Sequence, residues 1–302
     1  MNIFDQISII IPTYYPGNII KKCLQTLPKN ADILIIDNGD DQDLDDLIKN
    51  SDQKLRHYKI GDFGLPKSFN FALKKAKYEN ILITQPDVTF HNDAIHKLIE
   101  ASIEYKDFGI LAPHVYEDNK YSPYNSLDLN LDKKGKIKKK NKSKVINPIP
   151  DGDCCVDAVN ATAMLLKKSI INKINGWDEN IYTYLEDLDL CVKLRRNNLQ
   201  IIKVKKSIVY HIGFGSHKKE NIFKSEKSRN WHFIWSSLYF KHKYTSKSEY
   251  LSYLLKNTFK YIFKTVLNGI IFRKKKAILN FMRLRACVNY IFIKKSNYRS
   301  SF

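Results

Sequence analysis

Residues 7–12 read ISIIIP, an almost unbroken apolar run closed by proline. A segment so short and with no polar face suits a strand covered on both sides. The pattern repeats at 33–37 (ILIID), 80–84 (NILIT) and 108–112, with a further strand expected over 55–60. Helical stripes alternate with these runs. Ile19, Ile20, Cys23, Leu24 and Leu27 follow Pro16-Gly17, and an acid-led helix is expected over 41–50. Phe69, Leu73 and Ala76 share one face of a helix over 67–77, and 92–105 forms another. Strands and helices in this alternation predict an α/β fold with a mainly parallel, doubly wound sheet, whose ligands meet the carboxyl ends of the strands. Asp37 and Asp87 both fall at such ends.

The pattern lapses over 117–150, a polar stretch containing KKGKIKKKNKSK and no apolar stripe. It suits a solvated hairpin, or a loop over the active site that meets a polyanionic acceptor. Regular structure resumes at 156–167, passes through a short helix to Gly176-Trp177-Asp178, and continues as a helix over 184–197 and strands over 200–204 and 208–211. Trp231 and Trp235, four apart, read as helix core packing. Beyond about 241 the character changes. Leu251, Leu255, Phe259, Phe263 and Val266 form an apolar helical face beside Lys256, Lys260 and Lys264, and the cluster 273–276 (RKKK) precedes a second apolar helix. The expected organisation is a domain over 1–240, with a variable basic loop at 117–150, and a basic amphipathic helical region over 241–302. The apolar face of that region either docks on the main domain or lies on an anionic membrane surface.

Composition narrows the class further. A chain of 302 residues with 43% hydrophobic and 12% aromatic content is not disordered. The cysteines Cys23, Cys154, Cys155, Cys191 and Cys287 are odd in number and form no CxxC pair, which reads as reduced thiols in a cytosolic protein. The start, MNIFDQISIIIPTYY, lacks the basic n-region of a signal peptide. No segment approaches the roughly 20 apolar residues of a membrane span, so a cytoplasmic protein, peripheral on the inner face of the cell membrane, is expected. The net charge of +20 is mostly lysine in a chain also rich in Asn and Ile, as AT-rich codon usage produces. Its position says more than its size: residues 241–302 hold 15 Lys and Arg against Glu249 as the only acid.

Transfer of a glycosyl group from a nucleoside diphosphate sets chemical demands that this chain can be checked against. The departing diphosphate needs a divalent cation or fixed positive groups, and the incoming hydroxyl needs a carboxylate to accept its proton. Thr13 closes the first strand, Asp37 the second and Asp87 the fourth; Glu186, Asp187 and Asp189 open a helix, and His211 ends a late strand. Taken singly, Asp37 reads equally well as a helix cap, the three acids as partners of a helix dipole, and His211 as a structural histidine.

The ordered set IPTYY, LIIDNGD, FGLPKSFNFAL, ILITQPDV, NGWDENIYTYLEDLDLCVKLRRNN and IVYHIGFGS resembles the family 2 glycosyltransferases of the GT-A fold, in particular their bacterial rhamnosyltransferase-like members. The resemblance covers about residues 7–216, with 117–150 unmatched. It implies that Pro12, Thr13 and Tyr15 line the nucleotide pocket and that Asp37 holds the base or ribose. It implies that Asn70 and the loop carrying Asp62 and Gly64 close over the nucleotide, with Gln85 beside it. Asp87 would hold Mg²⁺ or Mn²⁺ on the diphosphate, with His211 as a second metal ligand. Asp187 would be the catalytic base, oriented with the acceptor by Glu186 or Asp189, while Trp177 and Asp178 shape the acceptor side. One departure stands out. Gln85-Pro86-Asp87 occupies the place of the family's Asp-x-Asp, so a charge is missing and the cation site is expected to be thin.

The resulting expectation is an inverting transferase with Asp187 as general base. Its donor would be a nucleotide-diphosphate sugar, dTDP-rhamnose before UDP-hexose or UDP-galactofuranose. Its acceptor would be a lipid-linked or polysaccharide glycan of the cell surface. Two other classes were weighed. A nucleotidyltransferase of related fold would want a Gly- and Lys/Arg-rich phosphate loop after the first strand, where IPTYYPGN stands. A basic nucleic-acid-binding protein would need a recognisable reading module, and none is present, so no nucleic acid partner is expected.

Overall fold

The computed structural model describes residues 6–118, 120–122, 126–128, 144–145, 151–212, 222–293 and 295–299. Most of the expected basic loop at 117–150 lies outside them. The chain divides into two compact units, 1–177 with 187–216, and 178–186 with 217–302.

The first unit runs β1 (Ile7–Thr13), α1 (Ile19–Gln25), β2 (Asp32–Asp37), α2 (Gln42–Lys49), β3 (Leu55–Lys59), α3 (Leu65–Lys75), β4 (Asn80–Thr84), β5 (Val88–Phe90) and α4 (Ala94–Glu104). It continues through β6 (Phe108–Glu117), β7 (Lys120–Tyr121), β8 (Ser126–Asp128), β9 (Lys144–Val145), β10 (Cys154–Val156), β11 (Ala158–Val159), β12 (Ala163–Lys167), α5 (Lys168–Lys173), α6 (Glu186–Arg196) and β13 (Gln200–His211). The main sheet has the order β10-β13-β6-β12-β4-β1-β2-β3, with β5 beside β13 and β7 beside β6. β3, β2, β1, β4, β6 and β13 point one way, and β12 and β10 are reversed. The sheet is therefore mainly parallel in direction, as the alternation of elements predicts, with one reversed strand between β4 and β6.

Every residue of β1 and β2 is buried, which accounts for their unbroken apolar sequence. Ile7, Ile9 and Ile11 join one core with Ile20 and Cys23 of α1, Leu44 of α2 and Leu98 of α4. The alternate residues point to the other face, where α3 packs on β1 and β2. Strand pairing keeps β1 in register with β2 up to Thr13 and Asp37, so both side chains finish at the same edge.

β6 and β13 depart from the sequence expectation. A strand was expected over 108–112, yet β6 runs on to Glu117. Pro113 is registered with Val204, and the register then slips so that His114 meets Ile208. An irregularity of this kind is where a strand tolerates a residue without an N–H. The same slip joins the two expected strands over 200–204 and 208–211 into β13. β5, three residues long, was not anticipated. Cys23, Cys191 and Cys287 are buried, with their thiols pushed above the ordinary range by burial, and none of the five cysteines is paired.

The second unit contains α7 (Ile222–Tyr244), α8 (Lys247–Ile270) and α9 (Lys274–Phe292). The boundary expected at 240 falls inside α7, because Trp231, Trp235 and Leu238 of that helix share one core with Tyr250, Leu254, Tyr261, Met282, Cys287 and Tyr290 of α8 and α9. The indoles of Trp231 and Trp235 stack at 6.5 Å, as their spacing suggests. α8 opens with a capping box between Ser246 and Glu249. The apolar face anticipated on α8 is its exposed one: Leu255, Phe259, Phe263 and Val266 are 56%, 68%, 66% and 56% exposed, while Tyr250, Leu254 and Tyr261 bury a different stripe. No helix among the described residues is long and apolar enough to cross a membrane.

Candidate functional site

The carboxyl ends of β1, β2 and β4 bring the expected residues together in two adjoining groups. The first surrounds Asp37, whose side chain is fully buried. Thr13 Oγ1 donates to Asp37 Oδ1 at 3.4 Å, and the Gly39 N–H donates to the same oxygen at 2.9 Å. His57 Nε2 stands 3.7 Å from Asp37 Oδ2. Asn38 N–H donates to the Thr13 carbonyl, Ser68 Oγ to Asn38 Oδ1 at 2.8 Å, and the Ile60 N–H to the Asp37 carbonyl. These bonds tie β1, β2 and α3 to the loop that carries Asp62 and Gly64. Gly64 is the cap of α3 with φ of 86°, a conformation that favours glycine. Tyr15, at φ 50°, lays its ring over Gly39, where a Cβ would come within 3.0 Å of the ring. Asp37 Oδ1 is thus hydrogen-bonded to protein groups, while Oδ2, 3.7 Å from His57, has no hydrogen-bond partner among the described residues. Its enclosure by Thr13, Gly39 and His57 makes it the organiser of this edge.

The second group lines a cavity of about 170 Å³ whose walls include Pro12, Leu65, Phe69, Gln85, Asp87 and Ala161. Asp187 Oδ2 accepts the Ala161 N–H at 3.1 Å, and Oδ1 accepts the Leu188 N–H at 2.8 Å. The carboxylate expected to act as base is therefore anchored to a residue of the cavity wall. Burial pushes the Asp187 carboxyl above its ordinary value, against the lowering effect of those backbone N–H donors. Tyr184 and Leu185, just before α6, both hold φ of 65°, an uncommon conformation for side chains of this size.

His211 Nε2 lies 3.4 Å from Asp87 Oδ2. Glu117 Oε1 lies 3.1 Å from Nδ1 of the same ring. Burial alone would lower the His211 pKa, but Asp87 and Glu117 on its two nitrogens raise it. Among the described residues no group of three or more His, Cys, Asp or Glu is gathered around one point that could hold a metal ion. Glu117 serves the far ring nitrogen and so does not complete a three-ligand set.

Five of the expected residues are engaged or enclosed within the protein. The Asn70 amide donates to the Trp177 carbonyl at 3.0 Å and accepts the Trp177 N–H at 2.9 Å, clamping α3 to the 176–177 turn. Trp177 is 2% exposed and packs on Phe69 at 5.0 Å, so it supports the cavity wall from behind and offers no acceptor surface. Asp178 is bound within the second unit, by Lys243 Nζ at 2.7 Å, Tyr239 OH at 2.8 Å and Asn180. Burial alone would raise its pKa, yet Lys243, Asn180 and Tyr239 hold it at about 2. Asp189 is 1% exposed and Glu186 6%.

Three residues of the site were missed from sequence. His57 falls inside the expected strand over 55–60 and Ala161 inside the stretch over 156–167, and neither belongs to a motif that marks it out. Glu117 was placed at the start of the polar loop over 117–150, whereas it ends β6.

Comparison with known proteins agrees with this architecture. The low-salt glycan biosynthesis hexosyltransferase Agl10 of Haloferax volcanii is 21% identical over 209 residues, 65% of this chain and 64% of that protein. The chain thus spans just under two thirds of that relative's length. The rhamnosyltransferase WbbL of Escherichia coli K12 is 25% identical over 250 residues, 74% of this chain and 88% of its own. Among solved structures, the fold resembles the mannosyltransferase PcManGT from Pyrobaculum calidifontis, in complex with GDP-Man and Mn²⁺. The TM-score is 0.56 at 12% identity, over 96% of this chain and 88% of that one. Residues 8–159, half of the chain, match glycosyl transferase family 2. With its strand-end carboxylates on a sheet of this order, the chain belongs to glycosyl transferase family 2.

Proposed function

We propose that the chain transfers a glycosyl group, rhamnosyl in the first instance, from a nucleotide-diphosphate sugar to a hydroxyl of a lipid-linked glycan, with inversion. The observation that carries the reading is the anchoring of Asp187 to Ala161 in the wall of a cavity that also exposes Asp87. A carboxylate held by two backbone N–H groups and raised by burial is poised to accept a proton from an incoming hydroxyl. Displacement in one step needs that base and a stabilised leaving group, with no carboxylate nucleophile.

The cavity is smaller than the 300–1,000 Å³ or so of pockets that enclose a whole ligand. It suits the sugar and the adjoining phosphate, with the nucleoside lying along the open strand ends toward Tyr15 and Asp62. Thr13 and Asp37 then act by fixing that edge, through the bonds to Gly39 and Asn38.

Asp87 and His211 fit a divalent cation in chemistry. They offer one hard oxygen and one imidazole nitrogen, and Glu117 on the other ring nitrogen is the outer partner that orients a ligating histidine. Mg²⁺ or Mn²⁺ bound there would neutralise charge on the leaving diphosphate. Two protein ligands leave most positions to the nucleotide and water, so tight binding of the ion is expected only with the diphosphate present.

The exposed apolar face of α8, with its lysines, supports a peripheral position on the cytoplasmic face of a membrane, where a lipid-linked acceptor resides. The rhamnosyl choice is supported by the WbbL similarity. The test is release of nucleoside diphosphate from a panel of nucleotide sugars with purified protein and Mn²⁺. One donor should be turned over, dTDP-rhamnose before the others. Turnover of none, with an acceptor glycolipid supplied, would remove the proposal.

A further inference from the structure

The second unit carries a cavity of about 550 Å³ that the proposed transfer chemistry does not use. Its wall includes Arg229 of α7, Lys260, Tyr261 and Lys264 of α8, Arg283 of α9, and Tyr184. Four cations therefore converge from three helices, and none of the residues lining the cavity is an acid. Several are held in place. Arg283 Nη1 donates to Asn280 at 3.0 Å, and its guanidinium lies 5.6 Å from the ring of Tyr261. Lys260 also rests over that ring, at 5.3 Å, and Arg229 hydrogen-bonds the Tyr184 phenol. A cavity lined by four cations and no acid fits a multiply charged anion.

The same helix says what the anion is attached to. Phe259 and Phe263 precede Lys260 and Lys264 by one residue each, and they are 68% and 66% exposed. With Leu255, Val266 and Ile270 they form an apolar stripe in solvent alongside the cationic cavity. A soluble anion has no use for that stripe. An amphiphile with a doubly charged head and a hydrocarbon tail fits both.

We propose that Arg229, Lys260, Lys264 and Arg283 form a binding site for the diphosphate of a lipid, whose hydrocarbon chain runs along the exposed stripe of α8. This rests on the reading of the acceptor as lipid-linked, and assigns residues that would hold its diphosphate. The four cations pair with the diphosphate oxygens in charge-assisted hydrogen bonds, the two guanidinium groups in the forked geometry that suits phosphate. Tyr184, which lines the cavity, stands three residues before Asp187 in the chain.

The test is calorimetric titration of the full-length protein with farnesyl diphosphate and, separately, inorganic pyrophosphate, with sedimentation on phosphatidylglycerol vesicles as the third arm. Farnesyl diphosphate should bind, and pyrophosphate should bind more weakly at the same site. Lys260→Ala with Lys264→Ala should weaken both by tenfold or more. Both lysines are exposed, so the fold should survive, as a thermal melt checks. Phe259→Ser with Phe263→Ser should weaken farnesyl diphosphate alone. Equal affinity in wild type and the lysine variant would overturn the proposal, as would vesicle binding that depends on these lysines without any diphosphate binding. Failure of either kind leaves transfer by the strand-end site standing, because donor turnover is measured independently.

Discussion

Replacing Gly176 by alanine offers a quantitative check on how the cavity wall is held. Gly176 has φ of 61°, and a Cβ built there would lie 2.3 Å from Asn70 Oδ1 and 3.1 Å from its Cγ. Adopting that φ with a side chain costs about 1–2 kcal/mol. The Asn70 amide would also have to swing away, forfeiting its two hydrogen bonds to the Trp177 main chain at about 1 kcal/mol each. The sum is about 3–4 kcal/mol, and a unit of this size loses roughly 2–4 °C of melting temperature per kcal/mol, so the midpoint should fall by at least 6 °C. Asn70→Ala should by itself cost about 2 kcal/mol, the worth of the two bonds. The double variant should then cost little more than Gly176→Ala, because those bonds are lost once; the coupling energy should be about 2 kcal/mol. Chemical denaturation of the four proteins measures it. Additive costs, or a Gly176→Ala midpoint within a degree of wild type, would refute the clamp.

Two further outcomes rest on the same contacts. The folded-state pKa of Asp178 is about 2 against an ordinary 3.8, so the unfolded chain binds more protons in that window. The stability this carboxylate supplies is present above about pH 4 and is lost as pH falls toward 2; the stability difference between wild type and Asp178→Asn, followed by denaturation against pH, should shrink over that range. Asp87→Asn and His211→Ala should each raise the Mn²⁺ concentration needed for half-maximal turnover while leaving the melting temperature nearly unchanged. Activity indifferent to EDTA in all three proteins would remove the pair from metal binding.

Much of the first unit was legible in the sequence because β1, β2 and β4 are buried on both faces, and only apolar residues satisfy that position. Asp37, Asp87 and His211 could be placed because each marks the end of such a run. The parts that could not be read depend on pairings distant along the chain. Asn70 meets Trp177, and Asp178 meets Lys243, across intervals that carry no local signal. Glu117 reaches His211 only because a slip in β13 opposite Pro113 lets β6 continue. On α8 the hydrophobic period was plain, but which of its two stripes packs was decided by α7 and α9, and Tyr250, Leu254 and Tyr261 won that contact.

The most direct test of the central claim is the single-turnover rate of Asp187→Asn on the donor and acceptor that the wild type uses. Asparagine keeps the shape and can still accept the Ala161 N–H, but it cannot take up a proton. A positioned general base contributes roughly 10²–10⁴-fold to a transfer of this kind. The variant should therefore bind nucleotide sugar with unchanged affinity and transfer at least a hundredfold more slowly. A rate within a few-fold of wild type would contradict the assignment of Asp187 as the base.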